Sequence, residues 1–202
     1  MIQLRYTMEM ADLNLVSKLV TAAYAASSDE FAHWMIRNHL PIVAQKAQEL
    51  SDRFGADENL AVAGAWLHDF GDAFVNRHAD NHDVVSKKEV VVVLQKSGFN
   101  EKQIEQILTE VIAPHSCHPD NLPMTLEGKV LATADALAHL TTDFYLQFSW
   151  MHIPEEKSFS QFKAWATGKI ERDFNQKIFF DEVKEEVRGR YEALRVVFEK
   201  NI

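Results

Sequence analysis

Residues 60–72 read LAVAGAWLHDFGD. The first eight of them carry no charge and are apolar on nearly every side, so a helix over residues 58–70 belongs at the centre of a fold, not on its surface. Asp57 suits the N-cap of that helix, and Gly71 stops it. The helix ends on His68–Asp69. A carboxylate there is costly to bury unless it is paired or bound to a cation, and it opposes the negative end of the helix dipole.

The flanking sequence is helical as well. Leu15, Leu19, Val20 and Ala23 recur at helical spacing over residues 12–24. Ile36, Leu40, Val43, Ala47 and Leu50 predict one long amphipathic helix over residues 30–54, closed by Gly55. Residues 71–82 read as a polar loop. The run from Val90 to Val93 favours a strand on propensity, but flanking lysines and glutamates predict a helix over residues 82–96. Asn100 caps a helix to residue 112. Pro114, Pro119 and Pro123 bracket a loop that holds His115 and His118. A long helix is expected over residues 125–148, with Asp135 inside VLATADALAHL. Two amphipathic helices fill residues 155–200, marked by Phe159, Phe162, Trp165 and Ile170, then by Val183, Val187, Tyr191, Leu194 and Val197.

The chain has 202 residues, 47% hydrophobic and 25% charged, with 7 glycines and 5 prolines. So few turn-formers exclude a many-stranded sandwich or barrel and favour one all-α domain, with a core over about 30–150 and a helical extension over about 155–200. Lysine plus arginine number 21 against 30 acids, a net charge of −9. That argues against a nucleic-acid polymer or an anionic membrane as main partner. Cys117 is the single cysteine, which excludes an internal disulfide and fits a reducing, cytoplasmic setting. The N-terminus has acids where a secretory signal needs an apolar stretch, and no apolar run is long enough to cross a membrane. Self-association is left open.

Nine histidines are present, and several sit at helix ends. Asp135, flanked by Leu131, Ala134, Leu137 and Ala138, raises the same burial problem as Asp69. Buried carboxylates beside imidazoles form a donor set for a divalent ion. The competing readings are structural. His39 bonds a carbonyl, Asp69 caps a neighbouring segment, or Asp135 pairs with His139 one turn later.

The order His39, His68–Asp69, Asp135 resembles the HD-domain superfamily of metal-dependent phosphohydrolases. The local texts are NHLPIVAQKAQELSDRFG (38–55), AVAGAWLHDFGD (61–72), HDVVSKKEVVVVLQKSGF (82–99) and VIAPHSCHPDNLPMTLEGKVLATADAL (111–137). The resemblance covers residues 33–140. It implies a helical bundle with a central metal site, and His39, His68, Asp69 and Asp135 as ligands. It implies one divalent ion or two, drawn from Mn, Fe, Zn, Co, Ni or Mg, and a small phosphorylated metabolite or nucleotide as substrate. His82 and His115 are then candidates for a second metal or for substrate phosphate. Asp72, with Asp69, stands where one branch places an acid that orients or deprotonates water; otherwise Asp72 caps a short turn. Arg77 and Lys87 could meet an anionic substrate, although adjacent Lys87 and Lys88 also read as a solvated face. His33, His78, His118 and His152 read as solvated or structural. Two family arginines are replaced, by Ile42 and Ala136, and the lysine after the His-Asp motif by Asp72 or Ala73. Two rivals follow: an HD-fold diiron oxygenase similar to inositol oxygenase, and a catalytically silent metal-containing module.

Overall fold

A computed structural model of the protein describes residues 11–77, 79–152 and 158–199. The expectation for the first ten residues, for His78 and for the side chain of His152 lies outside the described residues. Asp12 accepts from the Leu15 N–H and opens α1 (Leu13–Ala26). Asp29 caps α2 (Glu30–Asn38), and α3 (Leu40–Phe54) ends on Gly55 at φ +75°, where a glycine avoids the left-handed penalty. Asp57 caps α4 (Glu58–Leu67) by accepting from the Asn59 and Leu60 N–H groups. A short 3₁₀ turn, Phe70–Ala73, follows. Then come α5 (His82–Lys96) and α6 (Glu101–Gln106), the latter with a reciprocal Asn100–Gln103 capping box. A π-helical turn, Ile107–Ile112, leads into the proline loop. Thr125 caps α7 (Leu126–Thr141), and α8 (Phe144–His152) follows. Ser158 caps α9 (Phe159–Arg172), which passes through a second π-helical turn, Asp173–Lys177, to α10 (Asp181–Phe198).

The fold is an all-α bundle, and no strand forms among the described residues beyond an isolated bridge between His118 and Asn121. The apolar helix α4 is central. It packs against α3, α7, α1 and the first π-helical turn. Leu60, Val62 and Leu67 are buried, each contributing about 1.5–3 kcal/mol of transfer free energy. The valine-rich α5 is helical despite the β-branched run, and it buries Val90, Val93 and Leu94.

Two expected long helices are broken. The predicted 30–54 helix divides at His39, whose backbone (φ −127°, ψ −65°) is not helical. Pro41 is the cause: it has no N–H for the preceding turn, and its ring clashes with the carbonyl four residues back. The predicted 125–148 helix divides at Thr142 (ψ −170°). The Thr141 and Thr142 hydroxyls donate to the Leu137 and Ala138 carbonyls, and Thr142 Oγ1 then accepts from the Phe144 N–H. Both breaks face the same interior, and residues around them form the site.

Candidate metal centre

The break at His39 turns its ring into the bundle, where it stacks on His139 with centroids 5.1 Å apart. His68 caps the C-terminus of α4. Asp69 follows it before the 3₁₀ turn. His115 follows the first π-helical turn, and Asp135 and His139 lie one helical turn apart on α7. His39, His68, Asp135 and His139 are buried.

Hydrogen bonds at Nδ1 set the tautomers. His68 Nδ1 is 2.8 Å from the Ala65 carbonyl oxygen and His115 Nδ1 is 2.7 Å from that of Ile112. A carbonyl only accepts, so both rings donate from Nδ1 and keep a lone pair at Nε2. His139 Nδ1 is 3.0 Å from Asp173 Oδ2, which also accepts from the Tyr145 hydroxyl at 2.8 Å. Burial opposes ionisation of Asp173, but Lys169 and His139 offset it and hold this carboxyl below the usual range. His139 therefore also presents a lone pair at Nε2. Burial lowers His39, and it pushes His115 and His139 down to about 4, so these rings are neutral at pH 7.

The Nε2 atoms converge on carboxylate oxygens. Asp135 Oδ1 is 3.2 Å from His39 Nε2, 3.2 Å from His139 Nε2 and 3.9 Å from His68 Nε2. His68 Nε2 is 3.4 Å from His39 Nε2 and 3.5 Å from Asp69 Oδ2. Asp135 Oδ1 is buried and lacks a well-aligned hydrogen bond, with His39 Nε2 its nearest potential donor. The Nε2 lone pairs of His68 and His139 also face this oxygen, an arrangement that a cation among them would relieve. Ligands held about 2.0–2.2 Å from one metal stand roughly 3.0–3.5 Å from each other, close to the separations found. Three overlapping donor sets occur among the described residues: His39–His68–Asp69, His39–Asp135–His139 and His68–His115–Asp135, each with its donor atoms within 4.8 Å of one another. The residues fit one divalent ion.

Each carboxylate also meets a cation. Lys177 Nζ contacts Asp135 Oδ2, and Arg77 Nη2 is 2.7 Å from Asp69 Oδ2. Burial opposes ionisation of Asp135, yet His139 and Lys177 hold it well below the usual carboxylate range. Asp69 is likewise held low by Arg77 and His68 against the cost of burial.

Other expected site residues stand elsewhere. His82 joins none of the donor sets; its Nε2 is 3.0 Å from Asp72 Oδ1. A Cβ on Gly71 would meet the His82 ring at 2.6–3.0 Å, so a larger residue there would displace that ring from Asp72. Arg77 lines the cavity, where its guanidinium pairs with Asp69 and Asp72. Asp72 is buried beneath Arg77 and His82, not at the exposed cap of a turn. Burial and then the Asp69 charge raise its carboxyl, against the pull of Arg77. Lys87 is a correction: it lies on the exposed face of α5 beside a separate shallow groove and takes no part in this cavity. Side-chain packing of Val90, Val93 and Leu94 turns that lysine outward.

The sequence reading missed His139 as a donor, having set it aside as an ion-pair partner. It also missed Lys169, Asp173 and Lys177. A buried Asp in KIERDFNQK gives no pattern to read, because the π-helical turn there departs from the 3.6-residue period.

A cavity of about 760 Å³ opens onto the donor cluster. The arrangement defines a class: a helical bundle with a buried histidine–carboxylate cluster at its heart that could hold a metal ion. The chain belongs to the HD-domain family, whose model matches residues 36–140, just over half of the sequence, including every donor named above. Neither the curated proteins nor the solved structures provide a match.

Proposed function

We propose that the protein is a metal-dependent phosphohydrolase acting on a small phosphorylated metabolite or nucleotide, with His39, His68, Asp69 and Asp135 as metal ligands and His115 and His139 as further donors. The carrying observation is the buried Asp135 Oδ1 on which the Nε2 atoms of His39, His139 and His68 converge, the last two having spent a proton on an Nδ1 bond. Metal-dependent phosphohydrolases are typical of the HD family, although some members are not catalytic. A divalent ion in this set supplies Lewis acidity to a phosphoryl oxygen and makes a nearby water more acidic. The protein's own groups do the rest. Asp72 lines the cavity and takes the proton of the attacking water, while Arg77 and His82 hold it in place. Water adds to phosphorus, the ester P–O bond breaks, and the leaving oxygen departs as the alcohol on receiving the proton that Asp72 took from the water. Lys169 and Lys177 supply the positive charge that Ile42 and Ala136 do not.

The HD core and the C-terminal extension form one domain in this reading, since α9 and the second π-helical turn complete the site. No helix among the described residues is long and apolar enough to cross a membrane. A cytoplasmic enzyme with no polymer partner is the setting proposed, and self-association stays open. The diiron-oxygenase reading draws on His39, His68, Asp69, His82, His115 and Asp135; His82 here engages Asp72, and aerobic iron content with oxygen uptake discriminates this rival. The test is metal analysis of the purified protein beside a panel of nucleoside monophosphates and sugar phosphates assayed with several divalent ions. Tight metal with phosphate release supports the proposal; tight metal with no release throughout the panel favours the silent module.

A further inference from the structure

One face of α9 carries Trp165, Lys169 and Arg172, all lining the cavity. These residues lie at positions i, i+4 and i+7, so they share a side of the helix. They also lie outside the stretch matched by the HD family model. Lys169 is at the inner end. Its Nζ is 3.4 Å from Asp173 Oδ2, the carboxylate behind His139, and 5.6 Å from the centroid of Phe144. Arg172 is exposed and forms no ion pair with a described residue, although the other cations lining this cavity do. Trp165 is one turn outward. It is 39% exposed despite its size, and it stacks on Phe148 at 4.6 Å between centroids.

Basic residues in a last helical turn suit the helix dipole. That alone does not explain an unpaired guanidinium aimed at a cavity, or an indole left half open on the same face. Charge gives a second argument. Four carboxylates and four cationic side chains line the cavity among the described residues. Asp173 stands directly behind Lys169 and adds a fifth carboxylate, so one divalent ion leaves an excess of about +1, which still attracts a phosphomonoester dianion. The volume of about 760 Å³ suits a ligand larger than a bare phosphate.

We propose that this face of α9 is the specificity wall of the site, with Arg172 and Lys169 taking the phosphoryl end of a phosphomonoester and Trp165 with Phe148 taking a flat ring at its other end. The proposal rests on the phosphohydrolase reading for its substrate chemistry, but it is tested by binding alone. The full-length, metal-loaded protein is titrated calorimetrically with the methylene-phosphonate analogues of adenosine 5′-monophosphate and ribose 5-phosphate, which resist hydrolysis, and with adenosine. The nucleotide analogue should bind about tenfold or more tighter than either fragment, a difference of about 1.4 kcal/mol. Arg172→Ala should weaken both phosphonates about tenfold and leave adenosine unchanged, with Arg172→Lys recovering part of the loss. Trp165→Ala should bring the nucleotide analogue down to the level of the pentose analogue, whose own binding does not move. Both side chains are exposed, and melting temperatures near wild type check the fold. Equal binding of the two phosphonates, or unchanged binding in Arg172→Ala, overturns the wall. The full binding pattern without hydrolysis of natural phosphomonoesters would keep the wall and reject the phosphohydrolase.

Discussion

Lys177 reaches from the C-terminal extension to Asp135 Oδ2, and the other oxygen of that carboxylate faces His39 and His139, each at 3.2 Å. The lysine is anchored on α7: Thr133 Oγ1 donates to its carbonyl at 3.1 Å and accepts from the Phe179 N–H at 3.1 Å. Asp135 is thereby held with one oxygen committed and one presented. Removing one member of a buried pair strands the other charge, at about 3–5 kcal/mol. Lys177→Met is therefore expected to destabilise the metal-free protein by that order, and by clearly less when a divalent ion compensates Asp135. Denaturant unfolding with and without chelator reads the difference; equal losses in both states would show that Asp135 holds no metal.

Asp69→Ala should lose metal and activity together. It removes a carboxylate donor 3.5 Å from His68 Nε2, and it frees Arg77 from a 2.7 Å contact. Metal analysis after dialysis checks it, and wild-type metal content in the variant would remove Asp69 from the ligand set.

His139→Ala separates the donor role from the ion pair expected of it. If His139 Nε2 is a donor oriented by Asp173, Asp173→Asn should lower metal affinity by about 10–100-fold, and His139→Ala, which removes the donor itself, by more. Isothermal titration of metal into chelator-treated protein measures both. Unchanged affinity in His139→Ala would return this residue to a structural pairing.

The fold was largely legible because the apolar run before His68–Asp69 can lie only in a core, and because caps such as Asp57, Asn100 and Thr125 stand where the periodicity changes. The helix breaks were not read, although Pro41 and the Thr141–Thr142 pair carry the physical signal. Of the site, His39, His68, Asp69, His115 and Asp135 were singled out and do come together. The layer behind them was hidden. Asp173 and Lys177 belong to a π-helical turn far along the chain, and only tertiary packing brings them to His139 and Asp135.

Acidification should weaken the metal-free fold. Burial pushes His115 and His139 down to about 4 from an ordinary value of 6.5. Between those values the unfolded chain holds protons that the folded chain does not. Stability therefore rises with pH across this window and is lost as pH falls through it. The depressed carboxyls of Asp69, Asp135 and Asp173 extend the loss to lower pH. Urea midpoints of chelator-treated protein should drop between pH about 6.5 and pH about 4, and His115→Gln should flatten the drop. A midpoint independent of pH there would mean the histidines are already protonated in the fold.

Asp72 is the last residue whose role an experiment can split. It is buried, with His82 Nε2 at 3.0 Å from Oδ1 and Arg77 Nε at 3.1 Å from Oδ2, and Arg77 also bridges to Asp69. As a base, it takes a proton from the attacking water by giving up one of these bonds. As a clamp, it only fixes Arg77 against Asp69. Asp72→Asn keeps the shape and one accepting oxygen but removes the charge and the basicity. General-base loss costs about 10²–10⁴-fold. The variant is expected to bind metal as wild type does, to melt within a few degrees of it, and to lose at least about tenfold in kcat with KM little changed. Asp72→Ala should lose as much turnover and more stability, since it leaves Arg77 and His82 without their shared acceptor. Loss of metal in Asp72→Asn, or kcat at the wild-type level, would assign Asp72 to the clamp and leave proton removal to another group lining the cavity.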